Sequence, residues 1–231
     1  MKIFSAQTAG LALAVSIGFN AMATDIYNTL NTFNGNFFSV TNGQQVGNEI
    51  TLSSSKVSLT GFSFEYYTPS ALTGTVGVDL EFYNNNGVGG SPGTVFYNSG
   101  VFSPLPTAVG GTNVNYTLSD FYPPLSSGFL LPTNFTFTLT FSGLASSDVL
   151  ELLLGNPPSG SIGSSTPDYW YNPGTGFQYL SNSVPADIGV DITGTVKTPD
   201  VTATVGLIGL SLVGMFLYRK KFVATAVVEK I

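Results

Sequence analysis

The chain has no cysteine and no histidine, and only 9% of its 231 residues are charged, against about 25% in an average soluble protein. The missing thiol and imidazole exclude a cysteine nucleophile, a Ser–His couple, a histidine general base and a thiolate or imidazole zinc site. Disulfides are excluded as well, so a folded region must be held by its core rather than by crosslinks. Basic side chains are scarce: of seven Lys and Arg, only Lys56 and Lys197 fall within residues 24–197. Eleven acids share that stretch, a net charge of −9. Such a field repels phosphate backbones and excludes nucleic acid as a partner. It attracts cations, calcium among them, although mild acidity commonly serves only solubility.

What the chain does have is concentrated at its two ends. Lys2 precedes an apolar run over residues 9–19, and Ala21 and Ala23 flank Met22 in a small-x-small pattern. That order is a secretory signal with cleavage after residue 23. The run is too short to span a bilayer. Near the other end, residues 201–218 carry no charge, and Arg219, Lys220 and Lys221 follow directly. Eighteen residues at helical rise cover roughly 27 Å, enough for a hydrocarbon core of about 30 Å. The basic cluster assigns the tail, residues 222–231, to the cytoplasm and the middle of the chain to the outside.

Thr198, Pro199 and Asp200, followed by Thr204, Leu207, Gly209, Leu210, Gly214 and the Arg219–Lys220 pair, resemble a bacterial PEP-CTERM sorting signal. The match covers residues 198–221 and is closest to the variant that opens Val-Pro-Asp-Ser-Gly. Here Thr198 replaces the Val, Val201 and Thr202 replace the Ser-Gly, and the tail after the basic residues is longer. The resemblance implies recognition by an exosortase, a membrane transpeptidase-like enzyme, cleavage near the motif, and transfer to the cell surface or matrix.

Between these ends, the periodicity is two. Phe135, Phe137, Leu139 and Phe141 alternate with threonines, and Val76, Val78, Leu80 and Phe82 alternate with Gly77, Asp79, Glu81 and Tyr83. Phe62 and Phe64, Val114, Tyr116 and Leu118, and Ile188, Val190 and Ile192 repeat the pattern. Turn signals such as Asn42-Gly43, Asn86-Gly87, Ser99-Gly100 and Asn172-Pro173-Gly174 separate the runs. About ten short strands with one solvated face predict an antiparallel β-sandwich of jelly-roll type over residues 24–197. Residues 59–67 and 135–144 are also similar to a β-sandwich domain that recurs in exported proteins with such tails.

Three places in the sandwich invite chemistry. Asp79 and Glu81 share one strand face, as a calcium pair or a glycosidase acid/base couple would, or as two solvated charges, the favoured reading. The asparagines of residues 84–86 and the glycines of 87–90 could add oxygen ligands, but they are also what a hairpin turn needs. No cofactor is expected, and calcium would be held weakly at most. Tyr169, Trp170 and Tyr171, with Phe177 and Tyr179 beyond, could stack sugar rings, or could place Trp170 in the core with the tyrosines over a sheet edge.

Together these features point to a non-enzymatic exported protein of the cell surface or extracellular matrix, associated with biofilm exopolysaccharide. Its expected partners are signal peptidase, an exosortase-like enzyme, the membrane and exopolysaccharide. A carbohydrate-binding module is the alternative, and an acid/base glycosidase ranks last. Secretion is expected to remove residues 1–23, so that N-terminal sequencing of the exported protein starts at Thr24. A sequence starting at Met1 would overturn the cleavage.

Overall fold

The computed structural model describes residues 24–30, 32–54, 57–106, 112–118, 129–157, 163–166, 168–181 and 186–196. The signal segment 1–23, Thr198, Pro199 and Asp200, the span 201–218 and the basic cluster Arg219, Lys220 and Lys221 lie outside them. No helix among the described residues is long and apolar enough to cross a membrane.

The described residues form two antiparallel sheets. The first contains β1 (Thr24–Asn28), β2 (Phe33–Ser39), β5 (Val57–Thr68), β8 (Thr112–Leu118), β9 (Leu130–Leu131), β11 (Glu151–Gly155), β15 (Asp187–Ile188) and β16 (Val190–Val196). The second contains β3 (Gln45–Gly47), β4 (Glu49–Leu52), β6 (Gly77–Asn84), β7 (Val95–Phe102), β10 (Asn134–Ser142), β12 (Gly163–Ser165), β13 (Tyr169–Asn172) and β14 (Gln178–Leu180).

Each sheet is organised by one long strand. In the first sheet β5 pairs with β8 and β9 along one edge, and with β16 and then β11 along the other. The ends of β5 and β16 part, and β11 enters between them. Gly189 bridges the fork, accepting from Glu65 N at 3.0 Å and donating to Leu153 O at 2.8 Å. A Cβ there would stand 3.1 Å from that carbonyl oxygen, so the close approach favours glycine. In the second sheet β10 pairs with β6 in unbroken register from Phe135↔Asn84 to Ser142↔Gly77, and with β3 and β4 on its other edge.

Aromatic side chains from both sheets fill the space between them. Phe62 and Phe64 of β5 meet Phe82, Phe137 and Phe141 of the second sheet, with ring centroids 5.3–6.3 Å apart and planes 66–78° apart. These edge-to-face contacts are the arrangement that aromatic quadrupoles favour. The inward sets are those the alternation predicts: Phe62 and Phe64 on β5, Val78, Leu80 and Phe82 on β6, and Val190 and Ile192 on β16 are all buried. An all-β fold of two sheets packed in the manner of a sandwich follows. On β10 the expected solvated threonine face differs, because Thr136 and Thr138 are also buried. A strand with neighbours on both edges is covered on its polar face by their side chains, as where Thr136 Oγ1 donates to Asn85 Oδ1 at 2.7 Å.

Phe62→Ala is expected to cost about 3–5 kcal/mol, the range for emptying an aromatic site in a close-packed core. Val88→Ala, at a side chain 97% exposed, should stay within about 0.5 kcal/mol. Urea unfolding of the two variants beside the parent checks the contrast, and equal midpoints would mean that the ring cluster does not hold the sheets together.

Candidate functional site

The outer face of the second sheet carries a continuous row of polar side chains. Strand alternation turns Leu80 and Phe82 inward and therefore Asp79, Glu81 and Tyr83 outward. Register then sets Thr138 opposite Glu81, Thr140 between Asp79 and Gln45, and Asn172 opposite Gln45. Glu81 is the centre of the row. Its Oε2 accepts from Gln45 Nε2 and from Tyr83 Oη, both at 2.7 Å, and its Oε1 accepts from Asn98 Nδ2 at 2.7 Å. The same Asn98 amide also reaches Asp79 Oδ2 at 3.1 Å. At the other end Asn172 Nδ2 donates to Gln45 Oε1 at 2.8 Å. Asn172 Oδ1 in turn accepts from the backbone N–H of Gly174 and Gly176, which closes the turn after β13.

Burial raises the Asp79 carboxyl above its ordinary value, while the Asn98 amide pulls it back and the Glu81 charge lifts it again. Burial also pushes the Tyr83 hydroxyl well up, helped by its hydrogen bond to Glu81. The two carboxylates stand side by side on one strand and share an amide donor.

Of the asparagines after β6, Asn86 closes the hairpin and Asn85 reaches across to β10. Asn86 Oδ1 accepts from Thr94 N at 2.8 Å, and Asn85 pairs with Asn134, whose Nδ2 donates to Glu49 Oε1. Among the described residues no group of three or more acids is gathered as metal ligands would be.

The aromatic segment divides between the faces. Tyr169 joins the core, its ring 5.4 Å from Phe38, and Tyr171 lies against the same Phe38 at 5.7 Å. Trp170 points to the outer face, as alternation requires, but is only 9% exposed, with Tyr179 packed on it at 5.1 Å. Trp170 is thus buried, as one of the two readings held, but on the outer face beneath Tyr179, while Tyr169 takes a core position and Tyr179 is 43% exposed. Phe177 packs edge-on against Tyr83 at 5.2 Å. Tyr66 is buried and Tyr67 lies against Phe37 of the first sheet.

A second polar constellation is buried where the sheets meet. Asp187 is fully buried; its Oδ1 accepts from Asn48 Nδ2 and its Oδ2 from Ser165 Oγ, both at 2.6 Å. Tyr27 Oη donates to Ser165 Oγ at 3.0 Å, and Asn48 Oδ1 accepts from Ile188 N at 2.8 Å. Burial pushes the Asp187 carboxyl up to about 7, against the pull of Ser165 and Tyr27 and with a small lift from Asp168. Burial likewise raises Tyr27, with the Asp187 charge adding to it. Asp191 rises to about 6 through burial and the nearby Asp25. Asp148 goes the other way, held low by the backbone N–H groups of Thr73 and Gly74.

Sequence reasoning located Asp79, Glu81 and Trp170 but not Gln45, Asn98 or the Asp187 cluster. One signal was present: Asn48 falls on the inward parity of Val46 and Ile50, where a polar residue is out of place. Asn98 is reached only through the β6–β7 pairing, which sets it opposite Glu81.

No protein-family model matches the chain, and no curated protein matches it. A solved structure of infectious bursal disease virus, Gx strain, is similar over 82% of this chain and 47% of that chain, at 9% identity and a TM-score of 0.23. This chain thus spans under half the length of that one, and a likeness of that size carries no argument. The class that the fold defines is an all-β protein of two antiparallel sheets.

A carboxyl with a folded value near 7 and an ordinary value of 3.8 binds its proton more tightly in the fold. The stability contributed by protonated Asp187 is complete below about 3.8 and lost as the pH rises through about 7, at most about 4 kcal/mol. Asp191 acts with the same sign over a lower window. Urea midpoints are therefore expected to fall from about pH 4 to about pH 8, and Asp187→Asn should flatten the profile by staying neutral throughout. A slope unchanged in Asp187→Asn would place the titration elsewhere.

Proposed function

We propose that the chain is a non-enzymatic exported protein of the bacterial cell surface or extracellular matrix, with a jelly-roll-type sandwich as its displayed part. The carrying observation is the order of segments: a signal over 1–23, an acidic all-β region, then Thr198-Pro199-Asp200, an uncharged run and Arg219-Lys220-Lys221. An exosortase-like enzyme would act at the 198–221 segment, with 201–218 as the membrane helix and 222–231 inside.

A second reading, carbohydrate binding, is favoured by the outer face of the second sheet. There amide and carboxylate side chains run in one row, with aromatic rings beside them. Such mixed faces suit sugars, whose hydroxyls need partners and whose ring faces are apolar.

Mature surface protein is expected to lack residues 201–231, and Pro199→Ala or Asp200→Ala should leave the full-length form in the membrane. Intact mass of the matrix fraction reads this directly, and a mass that still includes Ile231 would overturn processing.

A further inference from the structure

We propose that the outer face of the second sheet binds a polysaccharide bearing free amino groups, held at the Gln45–Glu81–Asn98–Asp79 row and against Tyr179. This deepens the carbohydrate reading by naming the class of sugar. It is independent of the sorting segment, since one is read by binding and the other by mass.

The first argument is the unused capacity of the row. An ionised carboxylate offers about four acceptor sites. Glu81 receives three donors, from Gln45, Tyr83 and Asn98, and Asp79 receives two, from Asn98 and Ser99. Sites therefore remain open on both groups, and they are acceptors. The face calls for a ligand rich in donors, and both hydroxyl and ammonium groups qualify.

Charge selects between those two. No Lys or Arg side chain occurs among the described residues, while Asp79, Glu81 and Glu49 lie on this one face. An ammonium group is the natural complement, and a uronic acid polymer or a nucleic acid would be repelled. A divalent cation fits less well, because it requires six to eight oxygen ligands, whereas Gln45 and Asn98 direct N–H donors at these carboxylates.

The aromatic side supplies the remaining contact. Tyr179 is 43% exposed and is backed by the nine-tenths buried Trp170. Phe177 is fixed edge-on against Tyr83, the hydroxyl of which binds Glu81. The rings and the polar row are thus set before a ligand arrives, which lowers the ordering cost of binding.

The test is depletion of the purified full-length chain by beads of partly deacetylated chitin, with fully acetylated chitin, cellulose and alginate beads alongside. Retention is expected on the deacetylated beads, at least tenfold above the other three. The double variant Asp79→Asn/Glu81→Gln and, separately, the surface change Tyr179→Ala should each weaken it at least tenfold. Asp25→Asn/Glu151→Gln removes the same charge from the first sheet and should leave retention unchanged. Thermal midpoints of all variants show whether each remains folded; the exposed Tyr179→Ala keeps the test open if the double variant does not. Equal retention on cellulose or alginate, equal loss from the first-sheet variant, or no loss from Tyr179→Ala would each overturn the proposal.

Discussion

The hydrogen bond between Asn48 and Asp187 joins the two sheets beside a break in a strand of each. Asn48 lies between β3 and β4 of the second sheet, and Asp187 begins the β15–β16 segment of the first, just before the Gly189 fork. Ser165 and Tyr27 extend the link, so that side chains from alternate sheets follow one another: Tyr27, Ser165, Asp187, Asn48. Burying polar groups costs free energy unless every partner is in place, so the network tolerates one relative position of the sheets. The aromatic core supplies the burial that holds the sheets together, and this cluster specifies how they meet. Polar groups with that role can also cost stability, and here the cost falls on the Asp187 carboxylate, which is buried beside another acid, Asp168.

Once the sheets are docked, their outer faces acquire different characters. On the first sheet Phe33 and Phe37 stand 42% and 40% exposed, in ring contact with each other and, through Phe37, with Tyr67. On the second, the same alternation presents Gln45, Asp79, Glu81, Asn98 and Asn172, bonded to one another across β13, β3, β6 and β7. The contrast comes from the strand neighbours rather than from any one strand. Asp79 and Glu81 would be two ordinary solvated charges without Asn98 from the β7 hairpin and Gln45 from beyond β10.

The fold class was legible in the sequence because a strand in a two-layer protein writes its burial as a period of two, and Phe62, Phe64, Leu80, Phe82, Phe137 and Phe141 keep that period. Turn residues marked connections for the same local reason: Gly43 and Gly174 adopt the positive φ that their Asn-Gly and Pro-Gly contexts suggest, whereas Ser99-Gly100, expected to be a turn, lies inside β7, where the register with β6 shifts. Charge, and the exclusions that follow from absent histidine and cysteine, needed no structure at all. Parity along one strand, however, says only which side a residue faces. It does not say what covers that side, so the burial of Thr136 and Thr138 and the shielding of Trp170 by Tyr179 were outside its reach. The same holds for Asp187, whose partners lie about 20 and 140 residues away in the chain. Periodicity and composition are properties of neighbours in sequence, and by themselves they determined that this chain makes an acidic, all-β protein. The polar row and the buried carboxylate are properties of neighbours in space, and only the pairing of the strands decided them.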